Sequence, residues 1–219
     1  MSVIYHDLRS PLGNIVSSLD VLEGMIGKDE TTRSILNIAV NSTNRIQQLV
    51  NSLLDINRLE SGQTITTQTA VNPQDLIATA VKDVTPSAAG HHQTVETQIA
   101  EPLPNIWVDT DMLRRVLINL LENAIKFSKA ETKIIIGAQK DKESVRFWVQ
   151  DNGPGIPPSE HRRIFDKFAC LKGRDKPGGL GIGLAFCRIA VQAHGGTIWV
   201  ESKEGQGAKF VFTLPVMSK

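Results

Sequence analysis

The chain has 219 residues, 41% of them apolar, which is enough for one large domain or two small ones with packed cores. Its formal net charge of +1 supplies no basic stripe for a nucleic acid, and no run of about 18 apolar residues is present to span a membrane. Cys170 and Cys187 match no metal-ligand spacing and make a poor disulfide framework, and the N-terminus lacks a basic-then-apolar secretion signal, so a reducing, cytoplasmic setting is expected.

In chain order, Ile4, Leu8, Leu12, Ile15, Leu19, Leu22 and Ile26 step by three or four, which is one face of a helix. "GKDE" interrupts the stripe. Ile35, Ile38, Ile46, Leu49, Leu53, Ile56 and Leu59 resume it, with polar Ser42 in their midst and Gly62 as a C-terminal stop. Two amphipathic helices joined by a short loop predict an antiparallel hairpin over residues 1–62. One hairpin cannot bury both sides of its stripes. A second copy completing a four-helix bundle is the economical solution, and packing against the downstream segment is the plainer alternative.

Within the first helix, "IYHDLRSPLGNI" places His6 and Asp7 just before Pro11. Pro11 lacks the N–H that would bond the Asp7 carbonyl, and its ring crowds that oxygen, so a bend is expected beside His6. Ser10 shares the His6 face four residues on, whereas Asp7, at the next position, does not on a regular helix. Taken alone, His6 reads as a surface histidine near a terminus.

A linker over 63–69 leads to a second domain over 70–219. "QTITTQTAV" reads as a strand, and Asn72-Pro73 as a helix start with Asn as cap. "HHQTVETQI" and "NIWVD" are short strands, followed by an apolar-periodic helix from about Asp109 to Phe127. "TKIIIGAQ" and "SVRFWVQ" form a hairpin-like pair, and a glycine- and lysine-containing loop opens a helix from about Gly183 to His194. "GTIWVES" and "AKFVFTLP" close the chain as strands. This alternation predicts a two-layer α/β sandwich. Trp107, Trp148 and Trp199 fall in strands as core or sheet-face residues, and His161 and His194 read as surface and turn histidines. The loop pair His91-His92 lacks a third metal ligand.

Four stretches carry chemistry. In "LINLLENAIKFS", Asn119, Asn123 and Lys126 share one helix face; an amide oxygen suits Mg²⁺ when phosphates supply the charge, and Lys126 could meet a phosphate. In "DNGPGIP", Asp151 ends a strand as an acceptor-only carboxylate suited to an exocyclic amino group, and Gly153 and Gly155 permit tight turns before Ile156. In "GGLGIGLAF", Gly179, Gly181 and Gly183 alternate before a helix whose free N–H groups can cradle phosphate. "EGQGAKF" is a small turn with Gly205 and Gly207. Between the second and third stretches, "FDKFACLKGRDKP" offers Lys167, Lys172, Arg174 and Lys176 as phosphate-screening cations. Each stretch alone also fits a plain reading: a solvated stripe, a Gly-Pro loop, a glycine run, a charged loop. Neither a dinucleotide fingerprint nor a P-loop is present.

The order of these stretches, with "HDLRSPL" upstream and "DINRLESG" ending the hairpin, closely resembles the sensor histidine kinases of two-component signalling. Their ATP-binding module has the Bergerat fold shared by gyrase, Hsp90 and MutL, and the resemblance covers essentially the whole chain. It implies an ATP-dependent protein-histidine kinase core that autophosphorylates His6 from Mg²⁺-ATP and passes the phosphoryl group to an aspartate of a response regulator. A phosphatase role is left open. Asp7 would orient the imidazole and Ser10 would stand where relatives position water. Asn123 would carry Mg²⁺, with Asn119 and Lys126 near the phosphates, and Asp151 would read adenine. Phe127, Gly153, Gly155, Ile156, Phe168, Lys172, Arg174, Gly179, Leu180, Gly181, Gly183 and Leu184 would shape the pocket and its lid. Hydrolytic relatives carry a Glu where Asn119 stands, and an amide cannot act as that base.

The resemblance also implies a homodimer through the hairpin and a sensor domain upstream of a larger kinase, of which this chain is a fragment. Ala169 and Cys170 stand where relatives have a basic residue, with Lys172 or Arg174 as substitutes. A weakly catalytic ATP-binding scaffold and a hydrolytic ATPase of the same fold are the rival readings.

Overall fold

A computed structural model describes residues 15, 17–19, 22, 30–61, 65, 67–169 and 181–216. His6, Asp7, Ser10, Pro11 and Gly62 lie outside them. The chain divides between Arg58 and Leu59 into two compact units.

In the first unit, Ile15, Ser17, Ser18, Leu19 and Leu22 are helical, and helix α1 spans Glu30–Glu60. Arg58 in its last turn complements the negative end of the helix dipole. The apolar stripe divides. Ile56 is fully buried and Leu36, outside the expected stripe, is buried too, whereas Ile35 and Ile38 are each 64% exposed and Ile46 is 48% exposed. Thr43 is accommodated by donating its hydroxyl to the Ala39 carbonyl at 2.9 Å, one turn back.

The second unit is the two-layer α/β sandwich that the alternation predicts. Strand β1 (Thr69–Val71) is followed by helix α2 (Pro73–Gly90), strand β2 (Thr94–Ile99) and strand β3 (Ile106–Val108). Helix α3 (Thr110–Phe127), strands β4 (Lys133–Asp141) and β5 (Ser144–Gln150), helix α4 (Gly183–Ala193), and strands β6 (Thr197–Ser202) and β7 (Ala208–Pro215) complete it. Among the described residues the main sheet runs β2-β4-β5-β7-β6, with β2 parallel to β4 and the other pairs antiparallel. Helices α2, α3 and α4 form the second layer against it.

Local chemistry explains the elements. Asn72 caps α2 by accepting the Gln74 N–H at 2.9 Å, and Pro73 occupies the first position, where a missing N–H costs nothing. In β5, Val145, Phe147 and Val149 point into the core while the intervening residues are half-buried. Phe147 stacks on its cross-strand partner Phe212, ring centroids 4.8 Å apart. On the other sheet face Trp148 and Trp199 are half-buried, with Lys209 and Arg146 stacked at 5.0 and 5.4 Å from the rings. Trp107, on β3, is 46% exposed.

One expectation is trimmed. Of the strand predicted over 63–71, Thr69–Val71 is the part that pairs, antiparallel to β3, and Gln63, Thr64 and Thr66 lie outside the described residues. Thr67 instead donates its hydroxyl to Asp109 Oδ2 at 2.5 Å. Among the described residues no helix is long and apolar enough to cross a membrane.

Candidate functional site

The site is built on the polar face of α3. Leu113, Val116, Leu117, Leu120, Leu121, Ala124 and Ile125 bury the opposite face, which leaves Asn119, Asn123 and Lys126 half-buried along the other side. Asp109 caps the helix by accepting the Met112 N–H at 3.0 Å. Lys126 stands in the last turn, favoured by the dipole, with its ammonium 5.2 Å from the centre of the Phe127 ring.

Asp151 ends β5 and is 6% exposed. Its Oδ1 accepts the Gly153 N–H at 2.7 Å and the Ala208 N–H at 3.1 Å, while its own N–H donates to the Ala208 carbonyl at 2.8 Å. The carboxylate is thereby fixed between its own turn and the start of β7. The turn reaches α3 because Gly153 lacks a side chain: a Cβ there would lie 2.9 Å from the Phe127 carbonyl oxygen. Gly155 is required more strictly, since its φ is +72° and a Cβ would come within 1.9 Å of the Lys203 carbonyl. Ile156, buried, donates its N–H to Ser202 Oγ at 2.8 Å, and that hydroxyl donates to the Gly207 carbonyl at 2.6 Å.

Helix α4 starts directly over Asn119: a Cβ on Gly183 would lie 3.3 Å from Asn119 Oδ1. Among the described residues, Ile182, ahead of the first turn, offers no side-chain cap to the leading N–H groups at the positive end of the dipole. Leu184 is half-buried beside them. One turn further, the buried Cys187 thiol donates to the Val116 carbonyl at 3.7 Å. Burial, outweighing the opposing pull of Arg115 and Asn119, pushes its pKa up to about 12, so it is an inert packing thiol at neutral pH. Phe168, 63% exposed and at φ +63°, donates its N–H to the Gly181 carbonyl at 3.0 Å.

The fold therefore brings Asn119 to Gly183, Phe127 to Gly153, Asp151 to Gly153 and Phe168 to Gly181. Lys172, Arg174, Gly179 and Leu180, with Cys170 and Lys176, lie outside the described residues, as do His6, Asp7 and Ser10. Among the described residues no group of three or more His, Cys, Asp or Glu side chains is placed to hold a metal, and His91 and His92 are exposed.

His194 lies in a turn as expected, although buried, whereas the surface reading of His161 is corrected. His161 is half-buried with Nε2 3.0 Å from the Ile156 carbonyl. His194 is 5% exposed and ties two helix ends together: Nδ1–H donates to the Ala190 carbonyl at 2.7 Å, and Nε2 accepts the Asp109 N–H at 3.0 Å. Burial holds its pKa below the ordinary imidazole range, against the smaller raising effects of the Ala190 carbonyl and Asp109. Sequence reasoning also passed over Ser128, whose Oγ accepts the Asn152 N–H at 3.3 Å, and the buried Gln93. A polar residue directly preceding a strand was the available signal for Gln93.

Residues 108–218 match the family described as histidine kinase-, DNA gyrase B- and HSP90-like ATPase, and residues 1–62 match the His Kinase A (phospho-acceptor) domain. Sensor protein KdpD of Escherichia coli (strain K12) is 35% identical over 98% of this chain and 24% of its own length. The adaptive-response sensory kinase SasA of Synechocystis sp. (strain ATCC 27184 / PCC 6803 / Kazusa) is 32% identical over 99% of this chain and 58% of its own. The chain thus spans only part of these relatives. Among solved structures, full-length ShkA in complex with AMPPNP superposes with a TM-score of 0.84 at 29% identity, over 100% of this chain and 46% of that one. The catalytic domain of histidine kinase ThkA gives 0.61 at 28% identity, over 68% and 96% of the two chains.

Proposed function

This chain belongs to the sensor histidine kinases of two-component systems, and from that premise we propose that it is an ATP-dependent protein-histidine kinase core whose acceptor is His6. The observation that carries the reading is the junction of α3 with α4, where the leading helix N–H groups begin directly over Asn119, one turn before Asn123 on the same helix face.

In this mechanism α4 receives the phosphate chain at its positive end, and Lys126 adds a point charge. Asp151, held through Oδ1 by two backbone N–H groups, presents its carboxylate to the adenine amino group. Asn123 would hold Mg²⁺ by its amide oxygen. The donor set fits, because a hard cation bound by a neutral amide takes its remaining charge from phosphates, and no carboxylate cluster competes for it among the described residues. When bound, the ion would neutralise charge developing on the phosphates.

A ring nitrogen of His6 attacks the γ-phosphorus; the new P–N bond forms as the bond to the departing ADP oxygen breaks. Asp7 orients the imidazole and takes up its proton. Asn119, an amide, cannot activate water, which favours transfer to a held nucleophile over hydrolysis. ShkA's complex with AMPPNP, an ATP analogue, supports the choice of nucleotide.

The exposed Ile35, Ile38 and Ile46 of α1 are the face that a second copy covers, giving a homodimeric four-helix bundle. Phosphohistidine is then consumed by an aspartate of a response regulator, and Ser10 would orient a water that hydrolyses the partner's aspartyl phosphate, releasing inorganic phosphate. The test is incubation with Mg²⁺ and γ-labelled ATP beside His6→Ala. Acid-labile, alkali-stable label on the parent alone is expected, and equal labelling of the variant contradicts the assignment.

A further inference from the structure

Gln93 occupies the turn between α2 and β2, and its side chain is spent on the far end of α3. Its backbone N–H donates to the Ala88 carbonyl at 2.9 Å, which ties it to the end of α2. Its Nε2 lies 3.1 Å from the Ile125 carbonyl, 3.4 Å from that of Ser128 and 3.1 Å from that of Lys129. The Ile125 carbonyl is one that the last turn of α3 leaves unsatisfied, and those of Ser128 and Lys129 follow it in the exit from the helix; the two N–H groups of one amide are shared among all three. Thr132 Oγ1 donates to the same Lys129 carbonyl at 2.7 Å, and the Glu131 N–H donates to the His92 carbonyl at 2.8 Å, so the α2–β2 and α3–β4 connections are bound together.

The gripped segment bears directly on the candidate site. Lys126 and Phe127 stand between the Ile125 and Ser128 carbonyls that Gln93 holds. On the other side Ser128 Oγ accepts the Asn152 N–H, and the Phe127 carbonyl fills the space a Gly153 side chain would need. Asn152 is itself anchored, its Nδ2 donating to the Lys133 carbonyl at 2.6 Å.

The other end of the Gln93 amide is telling. Oε1 is buried without a hydrogen-bond partner. A buried orphan acceptor costs stability, and an apolar side chain of the same shape avoids that cost. What the apolar side chain cannot do is bring two N–H donors among these three carbonyls.

We propose that Gln93 is a positioning residue for the nucleotide site: its amide holds the C-terminal end of α3, and with it Lys126 and Phe127, against the turn that follows Asp151. The role rests on the nucleotide reading above.

The test compares Gln93→Met, which keeps the shape and removes both donors, with Gln93→Glu, which sets a carboxylate against three carbonyl oxygens. Calorimetric titration with Mg-ADP, at pH 8 and pH 5.5, is expected to show about tenfold weaker binding by Gln93→Met at both values. Gln93→Glu binds more weakly still at pH 8 and regains affinity relative to wild type at pH 5.5, because burial against three carbonyl oxygens raises its carboxyl pKa and the protonated form donates one bond. Simple loss of packing gives no such pH-dependent recovery.

If either variant fails to melt cooperatively, Gln93→Asn, which keeps the amide and withdraws it by one methylene, replaces it and must also weaken binding. Affinity within twofold of wild type in cooperatively melting variants overturns the Gln93 role and leaves the nucleotide reading standing. A wild-type chain that does not bind Mg-ADP overturns both.

Discussion

The helical unit and the α/β unit use their apolar side chains in opposite ways. In α1, Ile35 and Ile38 are each 64% exposed, whereas in the α/β unit Phe147, Phe186 and Phe212 are fully buried. Among the described residues α1 keeps part of its apolar stripe exposed while Leu36 and Ile56 are buried; the α/β unit has closed its core within one chain. The difference bears on function. A pocket that must hold a small ligand in fixed geometry needs rigid walls, which the packed sandwich supplies through Asp151, Gly153 and Phe127. A helix presenting an acceptor to other proteins gains from a surface that a second copy completes.

The largest effect is expected from Gly155→Val. With φ at +72° and the Lys203 carbonyl in the way, this change is expected to cost the α/β unit about 4 kcal/mol. Urea titration followed by tryptophan fluorescence reads that unit alone, because Trp107, Trp148 and Trp199 all lie in it.

Ile35→Ser with Ile38→Ser is expected to weaken the dimer by about 3 kcal/mol or more, from about 1.5–3 kcal/mol for each buried isoleucine. Sedimentation velocity should show dissociation at concentrations where the parent is dimeric, with the fluorescence-detected transition of the α/β unit unmoved. Coupled loss of both signals would deny the units their independence.

Asp151→Asn keeps an oxygen that can accept the Gly153 and Ala208 N–H groups and removes the charge. Nucleotide affinity should fall at least tenfold, about 1.4 kcal/mol, while the thermal midpoint moves little.

The smallest effect concerns His194. Its folded pKa lies below the usual 6.5, so the unfolded chain binds the extra proton first as pH falls. The contribution is fully present above the unfolded value and is lost as pH drops through 6.5 toward the lowered one. The imidazolium also loses the acceptor that Nε2 offers the Asp109 N–H. His194→Gln should flatten the acid limb of the stability–pH curve between wild type and variant.

What could be read from the sequence was what local spacing encodes. The α3 periodicity, the Asn72-Pro73 start, the β5 alternation and the glycine stretches each depend on neighbours within a turn or two. Gly153 reads as a turn glycine and Gly183 as part of a helix entry, but spacing does not show the Phe127 carbonyl or the Asn119 amide pressed against them. The supports were hidden because their partners are remote: Gln93 reaches carbonyls 32 to 36 residues away, and His194 meets Asp109 across 85. A buried histidine after "QA" and a solvated one look alike in sequence. The strand over 63–71 was overdrawn for a similar reason, since Thr67 turns its hydroxyl to Asp109, a residue that spacing could not place beside it.

The central claim is that the α/β unit holds nucleotide while the acceptor belongs to the helical unit. The most direct measurement gives γ-labelled Mg-ATP to the whole chain and to a piece spanning Leu59–Lys219. The account predicts equal nucleotide affinity for both, label retained on the whole chain alone, and no steady phosphate release from the piece. Sustained phosphate release by the piece at the rate of the whole chain would contradict it and make the chain a hydrolytic ATPase.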